Sequence, residues 1–229
     1  MSNNLSLILA TTTTVSDYTE ELLTTLKITL FSTAISYLFG LIIGITLFYT
    51  KSGGLKQNKI INMVIGVVIN ILRSVPFVIL LVLTQPIAKA IVGTKMGNNA
   101  FIVYLTLSAI PFVARLLESS FNEINAGVIE SAVSMGATNT QIIFKVLIPE
   151  CKPSLILGVA MAFATILGYT PMSYMIGGGG LGSMAVNFGL YKFDSTAMYI
   201  ASLILILLVQ AVQFGFGKLS QKLDRRKKV

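Results

Sequence analysis

Histidine is absent from this chain of 229 residues, cysteine occurs once, and only 11% of the residues carry charge. A single cysteine leaves no intrachain disulfide. Without histidine there is neither a Cys/His metal site nor a base for a Ser/His or Cys/His mechanism. Soluble domains of this length carry about 25% charged residues. Here the deficit comes with 54% hydrophobic residues, which describes a chain solvated by lipid. No Gly-x4-Gly-Lys-Ser/Thr occurs, so the chain has no P-loop for a nucleotide. Its long apolar runs contain no carboxylate, which removes acid–base chemistry within them as well. The net charge of +8 does not point to nucleic acid. The lysines and arginines fall between apolar runs and form no patch interleaved with aromatics.

What is present is five such runs, at residues 28–50, 60–83, 100–117, 154–176 and 195–217, interrupted only by Arg73 and Arg115. A helix needs about 20 apolar residues to cross about 30 Å of hydrocarbon, and each crossing segment must satisfy its backbone internally. The expected fold class is an all-α membrane protein with five transmembrane helices in a single domain, residues 1–229. Basic residues set its orientation. With the N-terminus outside and the C-terminus inside, the inner segments hold Lys51, Lys56, Lys59, Arg115, Lys145, Lys152, Lys218, Lys222, Arg225, Arg226, Lys227 and Lys228. The outer segments hold only Lys27, Lys89, Lys95 and Lys192. That asymmetry follows the positive-inside rule. Residues 1–15 lack Lys and Arg, and their apolar core at 5–10 is short for a signal peptide, so this segment is expected to be retained. Val15, Tyr18, Leu22 and Leu26 recur at helical spacing. They fit either an amphipathic helix on the outer surface or an extension of the first span. The tail Arg225-Arg226-Lys227-Lys228 is expected to anchor the last span to anionic membrane lipid.

The largest segment between runs, about 118–152, reads as two short helices with a sharp bend. Gly136 can take positive φ at the end of the first helix. Thr138-Asn139-Thr140-Gln141 has capping-box spacing for the start of the second, and Pro149 is expected to stop it before the fourth span. Ile142, Ile143, Val146 and Leu147 supply an apolar face. By residues alone this is either a docking element or an amphipathic loop on the inner leaflet.

The segment resembles the EAA loop of ABC importer permeases: Glu-Ala-Ala, a glycine after three further residues, nine more residues, then apolar-x-apolar-Pro. Glu130, Ala132, Gly136, Val146, Ile148 and Pro149 stand at those places, with Ser131 where the pattern has alanine. In that family the loop is the coupling helix that docks into a groove on a separate ATPase. The resemblance implies that Glu130 is a polar contact to that partner. It also implies that Ser131 and Ala132 permit close approach and that Gly136 sets the bend. Arg73-Ser74-Val75-Pro76-Phe77, Ile110-Pro111-Phe112-Val113-Ala114-Arg115 and the glycine run at 177–182 look like the methionine-importer permeases. That likeness implies a homodimer bound to two ATPase subunits and fed by an extracytoplasmic methionine-binding lipoprotein, in a bacterial inner membrane. It also implies that ATP-Mg binds the partner and that this chain holds no cofactor.

Arg73 lies about 20 Å into its run at helical rise, too deep to sit in bulk lipid cheaply. It serves either a translocation path, near a substrate carboxylate, or the packing, by satisfying carbonyls freed by Pro76. Pro171 interrupts the fourth run, and a glycine run ends it. Tyr169, Met172 and Met175 are candidates to line or gate a path, with filling of an apolar interior as the alternative. Gly40 and Gly44 form a GxxxG pair, for helix packing or a dimer contact. A secondary transporter, the rival class, is expected to show internal repeats and buried ion sites; this sequence shows neither.

Overall fold

The structure, a computed structural model, describes residues 13–224. The start of the expected retained segment and the basic tail at 225–228 lie outside the described residues. Helix α1 (Val15–Thr50) runs unbroken for 36 residues. Its first turn is closed by Asp17, whose carboxylate accepts the Thr14 N–H at 2.7 Å. At 1.5 Å per residue, α1 is about 54 Å long against a hydrocarbon layer of about 30 Å. The apolar spacing at 15–26 is therefore an extension of the first span and not a separate surface helix.

The second run is not one straight helix. Helix α2 (Lys59–Ser74) and helix α3 (Phe77–Leu83) meet at 110°. Pro76 is the cause: its ring forces the preceding residue out of the helical region, and Val75 sits at φ −81°, ψ 125°. The Ser74 hydroxyl donates to the Asn70 carbonyl at 2.9 Å at the end of α2. Helix α4 (Gln85–Val92) follows, ended by Gly93 at φ 78°.

Helix α5 (Gly97–Asn122) packs along α1, and small residues make this possible. A Cβ on Gly40 would lie 2.5 Å from Val113 Cγ1, and one on Gly44 would lie 3.0 Å from the Ala114 carbonyl oxygen. The GxxxG pair thus closes a seam within the chain. Arg115 fastens α2 to the same body. It pairs with Glu118 at 2.7 Å and donates to the Gly66 carbonyl at 3.3 Å and to Asn70 Oδ1 at 3.2 Å. Its charge therefore holds helices together, beyond the topological role the sequence indicates.

Helix α6 (Ala126–Ser134) is followed by a bend and by α7, which begins at Asn139–Gln141, widens to a π-helix over Ile142–Leu147 and closes with Ile148–Glu150. Helix α8 (Lys152–Tyr169) passes into a 3-10 segment, Thr170–Ile176, where Pro171 interrupts it. A glycine loop leads to α9 (Leu181–Val186), a π-turn at Asn187–Tyr191 and α10 (Ser195–Leu223). Among the described residues there is no strand. Four helices (α8 taken with its 3-10 extension) are long and apolar enough to cross a membrane, and the bent α2/α3 pair supplies a fifth span if counted as one.

The bundle has two distinct ends. At the glycine end, α1, α5 and the loop after Ile176 meet around Phe77, Phe101, Tyr104 and Ile166. At the elbow end, Phe48, Leu117, Phe121 and Ala162 enclose Leu147 and Cys151 from α7 and its exit. Ser220 near the end of α10 donates to the Pro153 carbonyl at 2.9 Å, which brings the last span to the elbow end.

Candidate functional site

The elbow is built by local rules. Asn125 caps α6 by accepting the Gly127 N–H at 2.9 Å. The helix ends in a Schellman turn: Gly136 N–H donates to the Val133 carbonyl at 2.9 Å and Ala137 N–H to the Ala132 carbonyl at 3.1 Å. This requires Gly136 at φ 77°. Thr138 Oγ then accepts the Gln141 N–H at 3.4 Å while Gln141 Oε1 accepts the Thr138 N–H at 2.8 Å, a reciprocal cap that starts α7. The helix ends at Glu150, one residue past Pro149 and just before the fourth span, in line with the expectation. The missing donor of Pro149 coincides with the π-helical register, in which Ile148 N–H reaches the Ile143 carbonyl. The chain continues to Glu150 and turns only at Cys151, whose thiol donates to the Ser120 carbonyl at 3.1 Å.

Burial divides the elbow into an anchored side and a bare side. Ile142 and Leu147 are each 1% exposed. Leu147 lies in the core with Phe48 and Phe121 and bolts α7 to the bundle, whereas an amphipathic loop lying on lipid would turn its apolar side outward. Ala132 is also buried, so its small size admits this chain's own neighbours. The expected close approach of a partner falls to Ser131 alone. The Ser131 hydroxyl donates to the Gly127 carbonyl at 2.7 Å. Val146 and Ile148 are half-buried and Pro149 is exposed.

Glu130 is exposed and makes no hydrogen bond or ion pair among the described residues. It lines a groove of about 580 Å³ between α6 and the turn after α1, together with Lys51, Leu55, Ile129 and Val133. Lys51 donates to Asn122 Oδ1 at 2.5 Å and sits 4.1 Å from the centre of the Phe48 ring. Burial pushes its ammonium below the usual lysine range, with Glu118 pulling it back up. Two residues that the sequence reading did not single out are the most conspicuous here. Met135 is 81% and Phe144 63% exposed. Both stand, like Glu130, on the exposed side of the elbow. Their hydrophobicity reads as interior in a linear pattern; only the fold turns them out.

A second locus lies at the α2/α3 bend. Arg73 and Tyr169 share a cavity of about 200 Å³ with Phe77, Ser108, Phe112 and Thr165. Tyr169 stacks on Phe77 at 4.7 Å between ring centres and 9° between planes. Arg73 is exposed and has no hydrogen-bond or ion-pair partner among the described residues. The carbonyl that Pro76 leaves, that of Leu72, is met by the Val75 N–H at 3.4 Å and not by Arg73. Met172 packs partly buried against the glycine-end core, and Met175 is exposed; neither lines this cavity. No cluster of metal-ligating side chains occurs among the described residues.

Five spans, one of them bent, and an elbow bolted to one end define a membrane-embedded transport subunit. A family model described as binding-protein-dependent transport system inner membrane component matches residues 36–225. The chain belongs to this family and is a multi-pass inner membrane protein. It is 44% identical over 193 residues, covering 84% of this chain and 86% of the relative, to a probable D-methionine transport system permease protein of Vibrio cholerae. It is 41% identical over 180 residues, covering 79% of this chain and 81% of the relative, to a methionine import system permease protein of Bacillus subtilis. Among solved structures, a chain from inward-facing conformations of a methionine ABC transporter superposes with a TM-score of 0.90 at 35% identity. That match covers 92% of this chain and 98% of the other.

Proposed function

We propose that this chain is the permease subunit of an ATP-driven importer of methionine and carries no ATPase of its own. Two copies form the membrane pathway, two ATP-binding subunits hold ATP-Mg, and an extracytoplasmic lipoprotein delivers substrate. The elbow end faces the cytoplasm and the glycine end the exterior, with the N-terminus outside. The observation that carries this reading is the division of the elbow. Ile142 and Leu147 are sunk in the bundle, while Glu130, Met135 and Phe144 stand bare. A lever must be rigid toward what it moves and open toward what drives it. Motion imposed on α6 passes through α7 into the core formed with Phe48 and Phe121, and so to the spans. Access then alternates between the two faces.

The Arg73 cavity is the part of this path with substrate chemistry. An exposed guanidinium beside a stacked aromatic pair suits an amino acid's carboxylate and an apolar side chain. A charged hydrogen bond is worth about 1.5–3 kcal/mol, or roughly 10- to 100-fold in affinity. Arg73→Leu is therefore expected to lower uptake at limiting methionine by about tenfold or more. ATP hydrolysis by the assembled complex should fall far less. Equal uptake by the variant and the parent removes Arg73 from the path.

The whole reading is tested by reconstituting the permease with the proposed ATPase and lipoprotein partners. Methionine accumulation inside vesicles should require all three proteins and ATP. Uptake driven by an ion gradient without ATP contradicts the proposal and restores a secondary transporter.

A further inference from the structure

Helix α10 is the span that the rest of the chain covers least. Of its most apolar stretch of 18 residues 11% are buried, against 39% in α1 and in α8 with its extension and 56% in α5. One side of α10 is used. Ala197 and Ala201 are buried, Ile204 and Leu205 pack with Leu181 and Met184, and Ser220 holds the Pro153 carbonyl. At about 100° per residue the opposite side carries Tyr199, Leu203, Ile206, Gln210, Gln213 and Gly217. The first five are exposed, and a Cβ on Gly217 would meet no atom within 4 Å.

These six residues are spaced 4-3-4-3-4, the a/d repeat of helices that pack along their length. Lipid would cover the apolar members of the stripe, but it does not suit the two amides. Helix α10 has 29 residues, so Gln210 lies about 20 Å from either end and Gln213 about 15 Å from Leu223. The helix exceeds a hydrocarbon layer of about 30 Å by about 13 Å, less than either depth, so both amides fall inside the layer wherever the overhang lies. Neither side chain makes a hydrogen bond among the described residues. By contrast, the Asn62 amide of α2 donates to the Leu47 carbonyl at 2.8 Å, and Asn70 Oδ1 accepts from Arg115 at 3.2 Å. An amide in hydrocarbon is costly until another helix supplies its partners.

We propose that the bare stripe of α10 is a seam between two copies of this chain, in which Gln210 and Gln213 hydrogen-bond to the same residues of the second copy. Symmetry favours this occupant. Both copies have one orientation in the membrane, so a twofold axis along the membrane normal sets their α10 helices parallel, each residue of the stripe opposite itself. A side-chain amide is donor and acceptor at once and is therefore complementary to its own image, as a carboxylate or an ammonium is not. The amides also fix the register, as a polar residue at an a position does in a coiled coil, while Leu203 and Ile206 supply the packing. The inference rests on the permease reading, which supplies the two copies; it adds the face that joins them.

In a Cys151→Ser background, Gln210→Cys, Gln213→Cys and Ala211→Cys each give the chain a single thiol. Ala211 is exposed at the same depth but about 100° round the helix. Membranes containing the whole transporter are oxidised with copper phenanthroline, and the permease is run on non-reducing gels. Disulfide-linked permease dimers are expected to form about tenfold faster or more from Gln210→Cys and Gln213→Cys than from Ala211→Cys, because facing thiols are held at high effective concentration. Each position keeps the other amide, so either serves if one variant does not accumulate. Equal rates at all three positions, as from chance collision in lipid, overturn the seam. So does the absence of dimer from both glutamine positions, whether their thiols react with a water-soluble reagent, which places them on an aqueous path, or only with a lipid-soluble one. The mass of the purified parent complex separates this failure from that of the permease reading. Two permease copies without the disulfide strike the seam alone, and a single copy strikes both.

Discussion

Replacing Met135 and Phe144 together by aspartate is expected to strip the ATPase subunits from the permease while leaving the permease folded in the membrane. Both side chains are bare in the isolated chain, at 81% and 63% exposure, so neither supports its fold. At the centre of an interface such residues cost about 2 kcal/mol or more each when removed. The pair therefore amounts to about 4 kcal/mol, roughly a thousandfold in affinity. Co-purification of the ATPase with a tagged permease measures it directly. The result should be loss of the ATPase and of ATP-dependent uptake, with an unchanged gel-filtration profile for the permease. Retention of the ATPase by the double variant contradicts the docking surface drawn here. Glu130→Gln is expected to have a smaller effect, because an exposed charge at the edge of a contact is screened by solvent.

The second large effect is on stability. Gly40→Ala is expected to destabilise the permease by about 2–3 kcal/mol, at the upper end for overpacking, because its new methyl would meet Val113 Cγ1 at 2.5 Å. Thermal unfolding of the purified chain measures the loss. The informative comparison is the double variant. Val113→Ala removes the Cγ1 atom at 2.5 Å but leaves the Cβ at 2.8 Å, so the pair should recover part, not all, of what Gly40→Ala loses. A GxxxG pair that contacts a second copy through this face predicts no such rescue, and weakened association instead. Gly44 offers no comparable exchange, since its nearest obstacle is the Ala114 carbonyl oxygen, which no side-chain substitution moves.

How much of this was legible depended on the range of the interaction. The long apolar runs needed only hydropathy and length. Gly136, Thr138 and Gln141 announced the elbow because its bend is made by bonds spanning three to five residues. Pro76 was legible as freeing carbonyls within the second run, but not as a bend of 110°. A proline within an apolar run can kink a helix or end it, and the choice rests on tertiary support. Pro149 was legible because a proline closes a short helix locally, here one residue before its end at Glu150.

The candidate site was legible only in its backbone. Glu130, Ser131 and Gly136 stood out by spacing. Whether Ala132 faces a partner or this chain's own neighbours is decided by α6 packing, and it turned inward. Met135 and Phe144 escaped notice because apolar residues in an apolar protein carry no contrast. Arg115 was legible as a charge, yet its bonds to Gly66 and Asn70 span 49 and 45 residues. Arg73 and Tyr169 were named separately, and only the fold brings them to one cavity.

The measurement that bears most directly on the central claim is site-directed cross-linking from the elbow's bare side. In a Cys151→Ser background, Ser131→Cys gives the chain a single thiol, on the exposed face of α6. A short thiol-reactive cross-linker applied to membranes containing the whole transporter should join the permease to the nucleotide-hydrolysing subunit, with a yield that changes when ATP is added. If Ser131→Cys instead reacts with an impermeant reagent added outside intact cells and never yields an adduct with an ATP-hydrolysing protein, the elbow is not the lever and the account fails.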